Sequence, residues 1–251
     1  MKVGILTFHA AHNFGAMLQA YALQEQIRIN GHEPWIINYV PEYIASKRPT
    51  LQKWMFTHGR ALQTIKYYFK IMRKAKKSYD KYKYFAHEYM KLTNICNIRE
   101  DLSSICKYFD CIILGSDQIW NLDCTLGPVP PFFLSFASDG TKKIAYAPSL
   151  SHAKFEEKNF TLEDKKHVSE WLNRFDALSV RELSVAGQFQ QLTNKHIVET
   201  LDPTLLLNLE DYRHIQAPRL PKKLEAGKYI FAYTLWPNKD MVHYIDKLAA
   251  K

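Results

Sequence analysis

Asp110-Cys111-Ile112-Ile113-Leu114-Gly115-Ser116-Asp117-Gln118-Ile119-Trp120-Asn121 decides the fold. Cys111 to Leu114 is apolar without alternation. That is how a short strand buried on both faces reads, and such strands belong to parallel sheets. The run breaks at Gly115 into a dense polar block. In open parallel sheets, ligands bind at the carboxyl ends of the strands. The stretch therefore marks both a central strand and the edge where chemistry is expected.

Working outward, strands and helices alternate. Residues 2–8 read as a strand, and Ala16 to Asn30 as an amphipathic helix ended by Gly31. Strands are expected at 34–40, 110–115, 143–147, 176–180 and 196–201. Helices are expected at 101–108, 161–175 and 183–192. This order predicts parallel βαβ units, an α/β Rossmann-like domain with a parallel sheet over 1–215. Residues 216–228 hold two prolines, a glycine and charges, and read as a linker. Beyond it, a strand at Tyr229 to Leu235 and a helix at Asn238 to Ala250, capped by Asn238, read as the start of a second α/β domain over 229–251. One βα unit does not bury its own faces, so a second domain that is mostly missing is expected, and the chain reads as a fragment or a shortened protein.

Composition excludes other classes. The 251 residues are 47 % hydrophobic and 24 % charged, which excludes long disorder. No apolar run approaches the roughly 20 residues of a membrane-spanning helix. The apolar part of the N-terminus is too short for a secretory signal, so a cytoplasmic location is expected. Cys96, Cys106, Cys111 and Cys124 form no C-x-x-C pair, so reduced, mostly buried thiols are expected and no metal site.

The formal charge of +9 is concentrated. Between Lys47 and Arg99 stand fourteen Lys or Arg and two acids, a net +12, which leaves −3 for the rest. Aromatics from Trp54 to Tyr89 are interleaved. The segment 47–99 reads as a basic helical insertion. Three uses fit it: a solvated helix whose aromatic stripe packs on the body, a surface for an anionic glycan or lipid headgroup, and a nucleic-acid surface. Nucleic acid ranks last of the three.

Several strand ends carry candidate site residues. His12, Asn13 and Gly15 lie in the first strand-to-helix loop, where free backbone N–H groups and the helix dipole favour anions. Asn13 as a helix cap fits equally. No GxGxxG or GxxxxGK[ST] is present, so no standard dinucleotide or P-loop site is encoded. In the second block, Asp117 suits a general base that takes a proton from a hydroxyl. Gly115, Ser116, Gln118 and Asn121 are candidate ligand contacts, and Trp120 suits stacking on a sugar ring. A turn in which Asp117 and Asn121 bond the backbone is the alternative. Ser149 follows the strand at 143–147. Arg181 ends another strand, and its guanidinium suits a carboxylate or phosphate. An ion pair to Glu182 or Asp202 is its other use. Asp202 either binds a ligand or holds Arg181.

These blocks together resemble the polysaccharide pyruvyl transferase family. The carrying residues are KVGILTFH-AAHNFGAMLQAYALQ at 2–24, DCIILGSDQIWN at 110–121, KIAYAPS at 143–149, SVRE at 179–182 and LDPTLLL at 201–207. The resemblance implies a GT-B-like architecture of two Rossmann-like domains. It implies transfer of the enolpyruvyl carbon of phosphoenolpyruvate onto sugar hydroxyls of a polysaccharide or its lipid-linked precursor, giving a pyruvate ketal and phosphate. Asp117 would then be the base and Arg181 a donor-binding cation, with no metal and no cofactor beyond the donor substrate. Exopolysaccharide and cell-envelope biosynthesis would be the setting, with 47–99 in peripheral contact with the inner membrane face.

The sequence departs from the family in one respect. The family's Arg-x-His motif occurs nowhere in these residues. The chain alone is therefore expected to be inactive. Two other readings use the same features. One is a transferase with a nucleotide-sugar donor; the other is a binding module for anionic glycan or nucleic acid, with steep salt dependence.

Overall fold

A computed structural model describes residues 1–11, 13–41, 61–96, 99–125, 127–151, 160–216, 229–234 and 238–249. The chain divides into two units, Met1–Asn208 and Leu209–Lys251.

The first unit is built on strands β1 (Lys2–Leu6), β2 (Glu33–Ile36), β3 (Cys111–Leu114), β4 (Lys142–Ala145), β5 (Ala177–Val180) and β6 (Ile197–Glu199). They pair in the order β2-β1-β3-β4-β5-β6, and every pairing is parallel. The helices flanking this sheet make the unit a Rossmann-like α/β domain. From β1 the chain moves outward to β2, then returns to the other side of β1 as β3. The order therefore reverses between β1 and β3, and the crevice at their carboxyl ends is the natural ligand site.

Local signals place the first helix, α1 (Phe14–Ile29). Asn13 caps its start by accepting the Ala16 N–H at 3.1 Å. Its end is a Schellman closure: Gly31 has φ +79°, its N–H bonds Arg28 O, and the His32 N–H bonds Ile27 O. Helix α2 (Ala61–Tyr89) lies within the basic insertion. It meets α1 through Tyr82 against Phe14, with ring centres 5.2 Å apart, and Phe85 against Tyr21 at 5.9 Å. Gln24 ties its end down, donating to Tyr89 O and accepting the Lys91 N–H. The strand expected at 34–40 is regular only to Ile36. Beyond that, Ile36 and Tyr39 bridge singly to Leu92 and Cys96. Of the insertion expected at 47–99, residues 47–60 and 97–98 lie outside the described residues.

Further along are α3 (Arg99–Cys106), α4 (Leu122–Thr125), α5 (Leu162–Leu172) and α6 (Leu183–Gln190). Thr161 and Asp164 form a reciprocal capping box on α5. The core gathers Leu6, Ile112 and Leu114 of the sheet with Trp120, Phe132, Phe133, Phe160, Phe175 and Phe189. None of the four cysteines forms a disulfide.

The second unit contains α7 (Leu209–Tyr212), a 3₁₀ turn at Arg213–Ile215 and α8 (Lys239–Ala249). Asn238 caps α8, accepting the Met241 N–H at 2.8 Å. The strand expected at Tyr229 to Leu235 is not formed over 229–234. A strand requires a neighbour for its backbone N–H and C=O groups. Residues 229–234 belong to no sheet among the described residues, and Tyr229, Ile230, Phe231 and Tyr233 are exposed. Of the linker expected at 216–228, only Gln216 is described.

Candidate active site at the carboxyl edge of the sheet

Because the strands are parallel, their following loops gather on one edge. Asp117 follows β3 with φ +78°, and Ala147 follows β4 with φ +52°. Such left-handed backbone costs on the order of 1–3 kcal/mol at a non-glycine residue and clusters at functional sites. The two loops are joined: the Ser149 N–H donates to Asp117 O at 2.9 Å, and the Ser116 hydroxyl donates to Ala147 O at 2.9 Å. The first loop is joined too, since Thr7 Oγ1 donates to Ser116 O and accepts from Gln19 Nε2.

Three charged groups form the centre. Arg181 stands with Nε 3.4 Å from Asp202 Oδ2 and Nη2 3.9 Å from Asp117 Oδ1. The side chains are 28, 20 and 24 % exposed respectively. Neither contact is a hydrogen bond, and Arg181 Nε and Nη2 are buried with these ion-pair contacts but no hydrogen-bond partner. Asp202 is held in place: Oδ1 accepts from the Thr204 N–H and hydroxyl, and Oδ2 lies 3.1 Å from Ser116 Oγ. Burial pushes the Asp117 carboxyl above the usual carboxylate range. The Gln118 N–H and the Arg181 charge oppose that shift, and the Asp202 charge adds to it. Asp117 is thus poised as an acceptor of protons closer to neutral pH than a free carboxylate.

Tyr146, which the pattern of strand-end residues did not single out, also borders this cluster. Burial and then the Asp202 charge push its phenol up. Its only signal in the sequence is a place next to Ala147 at a strand end.

Other candidates hold the frame. Trp120 does not stack on a sugar: it is 1 % exposed, lies flat on Phe133 at 5.4 Å and touches Phe189 at 4.6 Å. Its Nε1–H donates to Phe132 O at 2.8 Å. The chain turns at Asp117, and this sends the indole inward rather than to the edge. Asn121 is buried, donates to Gln118 Oε1 and accepts the Asp123 N–H at the start of α4, which is the turn reading of this block. Gln118 is engaged with Asn121 rather than free for a ligand. Gly115 serves close packing, since a Cβ there would stand 3.0 Å from Thr7 Cβ. Ser149 is buried and donates to Glu182 Oε1 at 2.7 Å. Asn13 caps α1 and Gly15 is exposed beside it. His12 lies outside the described residues. His9 is buried between Thr7 O and Asn38 Oδ1, and burial pushes its imidazole below the ordinary value against the raising effect of these two bonds. Among the described residues, no group of three or more His, Cys, Asp or Glu stands where it would hold a metal.

A Rossmann-like sheet with a carboxylate and a guanidinium at its switch edge defines the frame of a group-transfer protein. The family model for polysaccharide pyruvyl transferase matches residues 13–251, and the chain belongs to that family. No curated protein matches it.

Proposed function

We propose that this protein moves the enolpyruvyl carbon of phosphoenolpyruvate onto hydroxyls of a polysaccharide or its lipid-linked precursor, forming a pyruvate ketal. Asp117 takes the proton of an acceptor hydroxyl as its oxygen attacks C2 of the donor. The methylene carbon takes up a proton and becomes the methyl group. Closure by a second hydroxyl expels phosphate. The observation carrying this reading is the pair of buried N–H groups on Arg181 that make no hydrogen bond, beside a carboxylate held above its usual range. A guanidinium flanked by carboxylates without bonding them is ready to turn to an incoming phosphate or carboxylate.

Calorimetry of phosphoenolpyruvate binding tests this. The unaltered chain is expected to bind, and Arg181→Ala to bind about 10- to 100-fold more weakly, the worth of a charged hydrogen-bond pair. No binding by the folded, unaltered chain, or equal binding by both, removes the donor assignment.

The acceptor side uses the insertion. Arg73, Lys76, Lys77 and Lys81 are exposed, and their spacing puts them on one face of α2, opposite Tyr82. This face suits peripheral contact with an anionic leaflet, where each basic residue contributes about 1 kcal/mol. The site would then work at the cytoplasmic face, on a glycan of cell-envelope or exopolysaccharide synthesis. Among the described residues no helix is long and apolar enough to cross a membrane. Replacing Lys76, Lys77 and Lys81 by Gln is expected to weaken flotation with phosphatidylglycerol-containing vesicles at least about tenfold. Unchanged flotation removes the membrane contact and leaves the donor site standing.

A further inference from the structure

Glu182 follows β5 at the N-cap position of α6, with extended backbone at φ −123° and ψ 129°. A polar side chain there ordinarily accepts a free N–H of the helix. Glu182 does not. That duty has passed to Glu199, whose Oε1 accepts the Leu183 N–H at 2.6 Å. Glu182 reaches back to the sheet edge instead, where Oε1 accepts the Ser149 hydroxyl at 2.7 Å. Its Oε2 is buried and has no hydrogen-bond partner. An orphaned buried acceptor costs about 1–3 kcal/mol, more when charged, and calls for an explanation of its persistence. Ser149, which Glu182 grips by its hydroxyl, gives its own N–H to Asp117 O. One residue thus links the two carboxylates.

The chemistry of a cyclic ketal asks for two such acceptors. C2 of the donor gains two oxygens, both from one sugar. Two hydroxyl protons must leave; one ends on the new methyl group and the other goes out with phosphate. Asp117 serves the first hydroxyl. Resting on the pyruvyl-transfer reading, we propose that Glu182 Oε2 accepts the second hydroxyl of the acceptor diol and orients it for ring closure. In that step the second C–O bond forms, the C–O bond to phosphate breaks, and the hydroxyl proton passes through Glu182 to the departing phosphate. Glu182 is then the residue that selects a sugar with two suitably spaced hydroxyls.

Ser149 provides the control. Glu182→Gln keeps an oxygen for the Ser149 hydroxyl and puts an amide donor where Oε2 stands. Ser149→Ala removes the anchor and keeps both carboxylate oxygens. The assay is ketal formation and phosphate release from phosphoenolpyruvate by the protein as its gene encodes it, with p-nitrophenyl β-galactoside as the diol. Glu182→Gln is expected to lower kcat/KM about 100-fold, with phosphoenolpyruvate affinity held within about twofold. Ser149→Ala is expected to lose less. Glu182→Asp, which keeps a carboxylate, is expected to retain more than Glu182→Gln, and this holds the comparison if the amide variant folds poorly. A purely structural Glu182 gives the reverse: Glu182→Gln near the unaltered rate and Ser149→Ala impaired. That result overturns the proposal and leaves pyruvyl transfer intact. No ketal from the unaltered protein as its gene encodes it, together with no phosphoenolpyruvate binding, overturns the transfer reading itself. Donor binding without any ketal from this diol overturns the assignment of Glu182 as its acceptor.

Discussion

Asp117→Asn is expected to lower transfer by about 10²- to 10⁴-fold, the usual contribution of a positioned base, while raising the melting temperature at pH 7. The two effects share one cause. Asn is nearly isosteric and tolerates the left-handed backbone at φ +78°, so the turn survives. The lost property is the ability to take a proton. Because burial holds the folded carboxyl above its unfolded value, the fold prefers Asp117 protonated. That preference stabilises the chain below the unfolded value and is lost as pH rises through the folded one. At pH 7 the native chain therefore carries an ionisation penalty that Asn removes. Thermal melts should show the gain at pH 7 and little of it near pH 4. The acidic limb of the rate profile should lie above the ordinary Asp range. Transfer within tenfold of the unaltered chain would end the assignment of Asp117 as base.

Trp120→Ala is expected to cost about 3–5 kcal/mol, the range for deleting a buried aromatic. It removes the flat contact with Phe133, the contact with Phe189 and the bond to Phe132 O. A domain has about 5–15 kcal/mol in all. For a chain of this size the melting temperature should fall by about 6–20 °C. Activity should be lost in proportion to the unfolded fraction, with the acceptor KM of the folded remainder unchanged. An unchanged melt with a raised acceptor KM would restore the stacking role that the buried position removes.

Signals contained within a few residues are legible in the sequence alone. The apolar run Cys111 to Leu114 is a strand paired on both sides. Gly31 ends α1 and Asn238 caps α8 because both operate through bonds to near neighbours. The same logic fails over 229–234, since β-propensity by itself closes no ladder and no strand forms there. At the site, Asp117, Arg181 and Asp202 are all readable as polar residues at strand ends. The pairing of Asp202 with Arg181 is among the readings of the sequence, but the place of Asp117 beside the same guanidinium is not. Glu182 reads only as a partner for Arg181, whereas its oxygen bonds Ser149, 33 positions away.

By itself the sequence determined the alternation of strands and helices, the edge where the polar residues collect, and the family. These follow from periodicity, capping and short blocks, all local in the chain. Only the tertiary structure decided which polar residues face a ligand and which hold the frame. Thr7 meets Ser116 across 109 positions, and Ser116 meets Asp202 across 86. Trp120 turned inward and Arg181 kept donors without hydrogen bonds for the same reason: the path of the backbone around Asp117 and the packing of distant strands set where each side chain points.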